Sequence, residues 1–355
     1  MQFSSAVTTV TRTKIPKRVY DTVTLGSPGL QTFLRTAKEW VSGTKYEPVI
    51  KYQDSTNGGN TGIAKQLDSN RQNVRTNMSF EIKAAYKPVV IANIEQKVNE
   101  GDDRIVSLLE TEFDSQAQSL MNLMAQNLYT GNGSGDDWDS LANAASDSTL
   151  YATYGSLSRS TYSSINGYYL ASTGALTLAK LATGYDDVTV GVDEPDFMLT
   201  TKALWTSYES LLTPTLRSSY EGFSFPNYDQ YGMVTTKSKD MGATQGFRTV
   251  TFRGTPVARD EQIASGKLHY VNTKAFKMLG VDMSGVENFQ TLNFKKLYKE
   301  GVPMGVPGNV PSAKGFNFRV LMSPVDQFSQ VGYLAWFGNF VSENPRLLGT
   351  LANAS

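Results

Sequence analysis

The chain has 355 residues, 40% of them hydrophobic and 19% charged, which is the composition of a folded protein with material for about two domains. Lysine plus arginine balances aspartate plus glutamate at 33 each, so no overall field draws the chain to nucleic acid or membrane. The absence of cysteine excludes disulfides, thiol catalysis and cysteine-ligated zinc, and a single histidine excludes a histidine-built metal centre.

The start, "MQFSSAVTTVTRTK", lacks the charged and apolar regions of a secretory signal. No apolar run reaches the roughly 20 residues of a spanning helix. A soluble chain made in a cytoplasm is the expectation. Between Met1 and Lys38, Arg12, Lys14, Lys17, Arg18, Arg35 and Lys38 face only Asp21, a local charge of +5. Such a segment packs poorly by itself and suits a solvated terminus or an arm laid on a partner.

A hairpin is expected next. "DSTNGGNTG" (54–62) is turn chemistry, with Asn57-Gly58-Gly59 able to take positive φ. From Val74 to Tyr86, Val74, Thr76, Met78, Phe80, Ile82, Ala84 and Tyr86 alternate with mostly polar neighbours, which is strand period. A long hairpin with a polar middle cannot bury itself and needs a surface supplied elsewhere. The glycine-rich tip is not a phosphate cradle, because no Gly-Lys-Ser/Thr follows it.

From Asp102 the period changes. Ile105, Leu109, Phe113, Ala117, Leu120, Met124 and Leu128 form the stripe of one amphipathic helix, started by Asp102 and Asp103 and stopped by "TGNGSG" (130–135). At 1.5 Å per residue it spans roughly 40 Å, a structural spine. "NGSGDDWD" (132–139) has calcium-loop residue types without the regular ligand spacing, and a turn is the better reading. The stretch Ser148–Thr173 is crowded with Tyr, Ser and Gly and has one arginine and no carboxylate. "PDFMLTTKALWTSYESLLTP" reads as a buried strand, Phe197–Thr201, running into a helix with Leu204, Tyr208 and Leu211 on its apolar face. "TVTFRGTPVARDEQI" (249–263) reads as a hairpin turning at Gly254. "FNFRVLMSPV" and "VGYLAWFGNFV" read as closing strands. The mixture is α+β.

Catalytic groups are sparse. His269 lies in a strand-like segment without a G-x-S-x-G elbow and reads as a satisfied structural residue. Asp193, Glu194 and Asp196 cluster before a strand, where solvated acids are ordinary. Glu343-Asn344-Pro345-Arg346 reads as a turn. Carboxylates far apart in sequence can meet in space, so an enzyme stays open as the weaker reading, with no cofactor or bound metal expected.

The order of features is more specific than any single motif. A basic arm, a projecting hairpin and a spine helix precede "WDSLANAASDSTLYATYGSLSRSTYSS" (138–164). This resembles the major capsid proteins of tailed bacteriophages, whose fold is named after phage Hong Kong 97. Their "GL…V-D…tYGG-dRstys-W" stretch is matched with Ser156 in place of the second glycine and Tyr168 or Tyr169 at the tryptophan position. "PDFMLTTKALWTSYESLL" and "FRGTPVARDEQIASGKLHYVNT" are similar to later family segments, so the resemblance covers nearly the whole chain.

The resemblance implies an N-terminal arm (1–45), an extended loop (46–86) and a peripheral domain (87–130 and 280–355) with spine helix 102–129. The axial domain would be 131–279. It implies pentamers and hexamers that close an icosahedral shell around double-stranded DNA, in a virion assembled in the host cytoplasm. Scaffolding, portal and decoration proteins would be separate partners, and no membrane would be involved. Some relatives crosslink lysine to asparagine, but nothing singles out Lys51, Lys65 or Lys83 for that chemistry. Arg12, Lys14, Lys17 and Arg18 are the candidate DNA-facing or subunit-clamping residues. Tyr151, Tyr154, Arg159, Tyr162, Tyr168, Tyr169, Asn57, Gly58 and Gly59 are the candidate intersubunit surface, since tyrosine gives wide contact at little entropic cost. The competing expectations are an encapsulin-like compartment, a surface glycan-binding protein and a carboxylate-dependent hydrolase.

Overall fold

A computed structural model describes residues 26–40, 43–62, 70–98, 108–171, 173–212, 227–228, 234–236, 250–281, 283, 289–291, 316–322 and 328–354. The basic residues Arg12, Lys14, Lys17 and Arg18 lie outside them. Two six-stranded sheets organise the rest.

The first sheet is built on the 14-residue strand Ser329–Ser342. Lys83–Ala92 runs antiparallel along one edge, from Ser329 opposite Ala92 to Gly338 opposite Lys83. Phe316–Met322 and Phe276–Gly280 share the other edge, and Lys38–Glu39 lies parallel to Phe276–Gly280. The helix Leu108–Thr130 packs on this sheet. The expected stripe is confirmed where it is described: Ala117, Leu120, Met124 and Leu128 are buried, as are Ala85 and Val89 of the facing strand. Rings fill the layer between. Trp138 lies 4.6 Å from Trp336 and 5.3 Å from Phe340, and Phe276 packs on Phe340 and Phe33. Phe33 belongs to the helix Pro28–Thr36, which has Ser27 as its N-cap and proline in its first turn.

The second sheet runs in the order Val250–Phe252, Thr255–Arg259, Phe197–Thr200, Leu268–Val271, Gly349–Leu351, Tyr168–Leu170. Its central strand is buried at all four positions because each face has a cover. Phe197 and Leu199 join the first core, while Met198 joins a second one with Leu204, Trp205 and Tyr208 of the helix Lys202–Leu211. The hairpin turns where the sequence places it, with Arg253 (φ 50°) and Gly254 (φ 84°) left-handed. Two strands cross the line expected at residue 280. Phe276–Gly280 pairs in the first sheet, and Gly349–Leu351 enters the second between Leu268–Val271 and Tyr168–Leu170.

The expected hairpin is a ribbon of two short antiparallel ladders, Lys45–Tyr46 with Phe80–Glu81 and Val49–Lys51 with Arg75–Asn77. The single strand anticipated from Val74 to Tyr86 is broken at Ser79 and Ile82. The cause is tertiary. Met78 and Phe80 turn into the core, and the Ser79 N–H donates to Gly155 O at 2.8 Å instead of to the ribbon. Gly58 (φ 101°) at the tip has the expected left-handed backbone.

Candidate functional site

The Tyr/Gly/Ser stretch meets the base of the ribbon, where the Ser79 N–H donates to Gly155 O. After the helix ends at Thr130, Gly133 N–H bonds to Trp138 O at 3.0 Å and closes a tight loop. Ser140 then caps the short helix Leu141–Ala144, accepting from Asn143 N at 3.1 Å. The loop delivers Asp139 to Asn339, which lies in the middle of the long strand and is fully buried. Asn339 Nδ2 donates to Asp139 Oδ2 at 2.8 Å and to Glu81 O at 2.9 Å. Its Oδ1 accepts from Asp139 N at 3.1 Å and Phe340 N at 2.9 Å. One amide thus ties the sheet, the ribbon and the post-helix loop together with its full hydrogen-bonding capacity. Burial pushes the Asp139 carboxyl up to about 6, since a single side-chain donor compensates its desolvated charge.

Tyr154 and Gly155 grip the ribbon from the other side. The Tyr154 hydroxyl accepts from Ser342 N at 2.8 Å, and its ring meets Phe80 edge-on at 5.4 Å. Gly155 is left-handed (φ 54°), and a Cβ there would lie 2.8 Å from Met78 Cβ. Ser156, at the position where the family pattern has a second glycine, is itself left-handed (φ 64°).

Arg159 fixes this stretch from within. It is fully buried, and its guanidinium forms no salt bridge among the described residues. Nη1 donates to Ser146 O at 2.6 Å and Ile165 O at 2.9 Å, and Nη2 to Asn143 O at 2.5 Å. The guanidinium also lies 5.1 Å from the Tyr154 ring centroid. Burial pushes it down to about 10. Tyr154 and Arg159, expected at a subunit interface, therefore have their side chains inside their own chain. They shape the surface from below and do not form it.

The other expected interface residues are outward. Tyr151, Tyr162, Tyr168 and Tyr169 are half-buried, Tyr162 against Tyr52 of the ribbon at 5.1 Å. Asn57 is half-buried, and Gly58 and Gly59 are exposed at the ribbon tip. The structure does not bring the tip and the four tyrosines into one patch.

The acids and the histidine are structural. Asp196 is not solvated: its oxygens accept from Thr273 N at 2.9 and 3.1 Å, which holds the strand start. Glu194 accepts from Tyr185, and Glu343 from Lys277 and Tyr46, both at 2.6 Å. His269 Nδ1 pairs with Thr350 Oγ1 at 2.8 Å and its ring stacks on Tyr129; burial pushes it down to about 3, so the imidazole is neutral. Sequence reasoning missed Asp260, which accepts from Gly29 N at 3.2 Å, Tyr129 Oη at 2.7 Å, Gln262 N at 3.0 Å and Ser27 Oγ. It joins the first helix, the long helix and the second sheet. A polar pocket of about 280 Å³ beside Asp139 is lined by Glu81, Lys83 and Ser79, whose hydroxyl donates to Glu47 Oε1 at 3.4 Å. Among the described residues no three acidic or histidine side chains gather as a metal site, and no helix is long and apolar enough to cross a membrane.

No protein-family model and no curated protein sequence matches the chain. Solved structures do. The capsid asymmetric unit of cyanophage A-1(L) superposes with a TM-score of 0.72 at 14% identity, over 99% of each chain. The capsid of a native GTA particle gives 0.59 at 9% identity over 100% of both chains. The fold is the Hong Kong 97-like capsid fold. The SrpI encapsulin of Synechococcus elongatus PCC 7942 also matches, with a TM-score of 0.56 at 12% identity over 100% of this chain and 96% of the other. The Hong Kong 97-like fold accounts for the α+β mixture, the long helix on a sheet and the projecting ribbon in one architecture.

Proposed function

We propose that this chain is a structural, non-enzymatic shell subunit, the major capsid protein of a tailed phage. It assembles through pentamers and hexamers into an icosahedral capsid around double-stranded DNA. The observation that carries the proposal is the end-to-end match to the cyanophage A-1(L) capsid subunit, with no segment of either chain left over as a separate module. The ribbon supports it, because it holds few apolar contacts of its own and gains from lying on a neighbour.

In this reading the arm (1–45) and extended loop (46–86) clamp neighbours. The peripheral domain (87–130 and 280–355) carries the long helix and takes in the strand Phe276–Gly280. The axial domain (131–279) gains the strand Gly349–Leu351. Contacts of Arg12, Lys14, Lys17 and Arg18 with packaged DNA are sequence-independent and salt-sensitive. Rings of five and six are closed heterologous assemblies, so many modest interfaces add to a stable shell. Assembly takes place in the host cytoplasm with separate scaffolding, portal and decoration proteins.

Electron microscopy with light scattering on the expressed chain, alone and with the products of neighbouring genes, tests this. Closed shells, pentamers or hexamers are expected. A chain that stays monomeric with a candidate scaffold would sink the proposal. The encapsulin match supports a second reading, a protein-cargo compartment. Particles from the native source holding an enzyme and no DNA would favour it.

A further inference from the structure

Three asparagines, Asn57, Asn132 and Asn166, are each followed by glycine. An Asn-Gly pair can modify itself. The backbone nitrogen of the glycine loses its proton and attacks the asparagine Cγ. A C–N bond forms, the Cγ–Nδ2 bond breaks and ammonia leaves, which closes a succinimide. Water then opens the ring to aspartate or isoaspartate. The step needs a glycine N–H that is free to ionise and room for the ring to close. A glycine lowers the steric barrier because it has no Cβ.

The fold treats the three pairs differently. Gly133 N–H is held by Trp138 O at 3.0 Å, and Gly167 N–H by Ser146 O at 2.9 Å. Both backbones are also crowded. A point one Cβ away from Gly133 lies 2.2 Å from Asp139 Oδ1, and the same point at Gly167 lies 2.9 Å from Ala145 C and Leu348 O. Gly58 has nothing within 4 Å of that point, is exposed, and its N–H has no partner among the described residues. Its φ of 101° is left-handed, a backbone that glycine adopts without strain.

We propose that Asn57 at the ribbon tip is a self-deamidation site, with Gly58 N as the nucleophile, and that the fold protects Asn132 and Asn166. The consequence is local and electrostatic. Asn57 Nδ2 donates to Asn70 O across the ribbon, beside the pair Thr56 N to Gln72 Oε1 and Gln72 Nε2 to Thr56 Oγ1, both 2.8 Å. Conversion replaces that donor with a carboxylate that repels the Asn70 carbonyl and adds a negative charge to the tip. The inference stands apart from the shell reading, since it concerns the chain in any state of assembly.

The test is to age the full chain in mildly alkaline buffer, folded and in urea, and to map peptides by mass spectrometry with enzymatic methylation of isoaspartate. In the folded chain Asn57 is expected to convert at least about tenfold faster than Asn132 or Asn166, a barrier difference of about 1.4 kcal/mol. In urea the three rates converge. Asn57→Gln removes conversion at the tip and leaves the other two sites unchanged. Conversion of Asn132 or Asn166 as fast as Asn57 in the folded chain would overturn the proposal. So would an Asn57 that persists in the folded chain while converting in urea.

Discussion

Replacing Arg159 by methionine removes a buried charge and keeps most of the side-chain volume, so the outcome weighs hydrogen bonds against desolvation. The carbonyls of Asn143 and Ile165 lose their donors, while Ser146 O keeps the Gly167 N–H at 2.9 Å. At roughly 1.5 kcal/mol for each buried acceptor left unpaired, that costs about 3 kcal/mol. The lost contact with the Tyr154 ring adds about 1 kcal/mol. Against this, burial depresses the guanidinium from 12.5 to about 10, so methionine recovers about 3 kcal/mol of desolvation. The net expectation is a loss of about 1 kcal/mol. Urea unfolding followed by tryptophan fluorescence should show a lower midpoint, and hydrogen exchange should localise the loosening to residues 143–166. Arg159→Lys should recover less than half, because an ammonium cannot span carbonyls on several sides as the planar fork does. A methionine variant within about 0.5 kcal/mol of the parent would refute the account, since surface substitutions cost as little.

Other outcomes follow from the same junction. Asn339→Leu leaves Asp139 and the Glu81 carbonyl without their donor and should cost about 3 kcal/mol, with faster proteolysis at the ribbon base as the readout. Gly155→Ala combines a left-handed backbone with a 2.8 Å approach to Met78 and should lower stability by about 2 kcal/mol or more, while Ser156→Gly should be neutral or slightly stabilising in the same melts. Asp139 has a folded pKa raised from 3.8 to about 6, so its contribution is full below the ordinary aspartate range and is lost as pH rises through about 6. The stability of the parent relative to Asp139→Asn should fall by up to about 3 kcal/mol from acid to neutral pH; a flat difference would remove the argument.

The long helix, the Gly254 hairpin, the buried strand Phe197–Thr200 and the closing strands were legible because each is a local pattern: a period, a turn residue or an apolar run. The junction was not. Asp139 and Asn339 are separated by 200 positions, and nothing near either one hints at the other. Arg159 was misplaced for a physical reason: arginine is ordinarily exposed, and a buried one whose Nη atoms bond to backbone carbonyls leaves no partner side chain in the sequence to find. Asp196 was misread for the same reason, since its donors come from Thr273. The ribbon shows the opposite error. The alternation from Val74 to Tyr86 was real, but Gly155 captures the Ser79 amide and breaks the strand there.

The position of Gly349–Leu351 has a consequence for how the protein comes into being. This short strand is the only link, among the described residues, between Tyr168–Leu170 and the rest of the second sheet. A ribosome has therefore made more than nine-tenths of the sequence before that sheet can be completed. Nascent chains pass through a period in which Tyr168–Leu170 has no strand beside it. A chain cut short before Gly349 cannot finish the sheet at all. The order of synthesis thus sets an order of folding: the second sheet is completed after translation has passed residue 351.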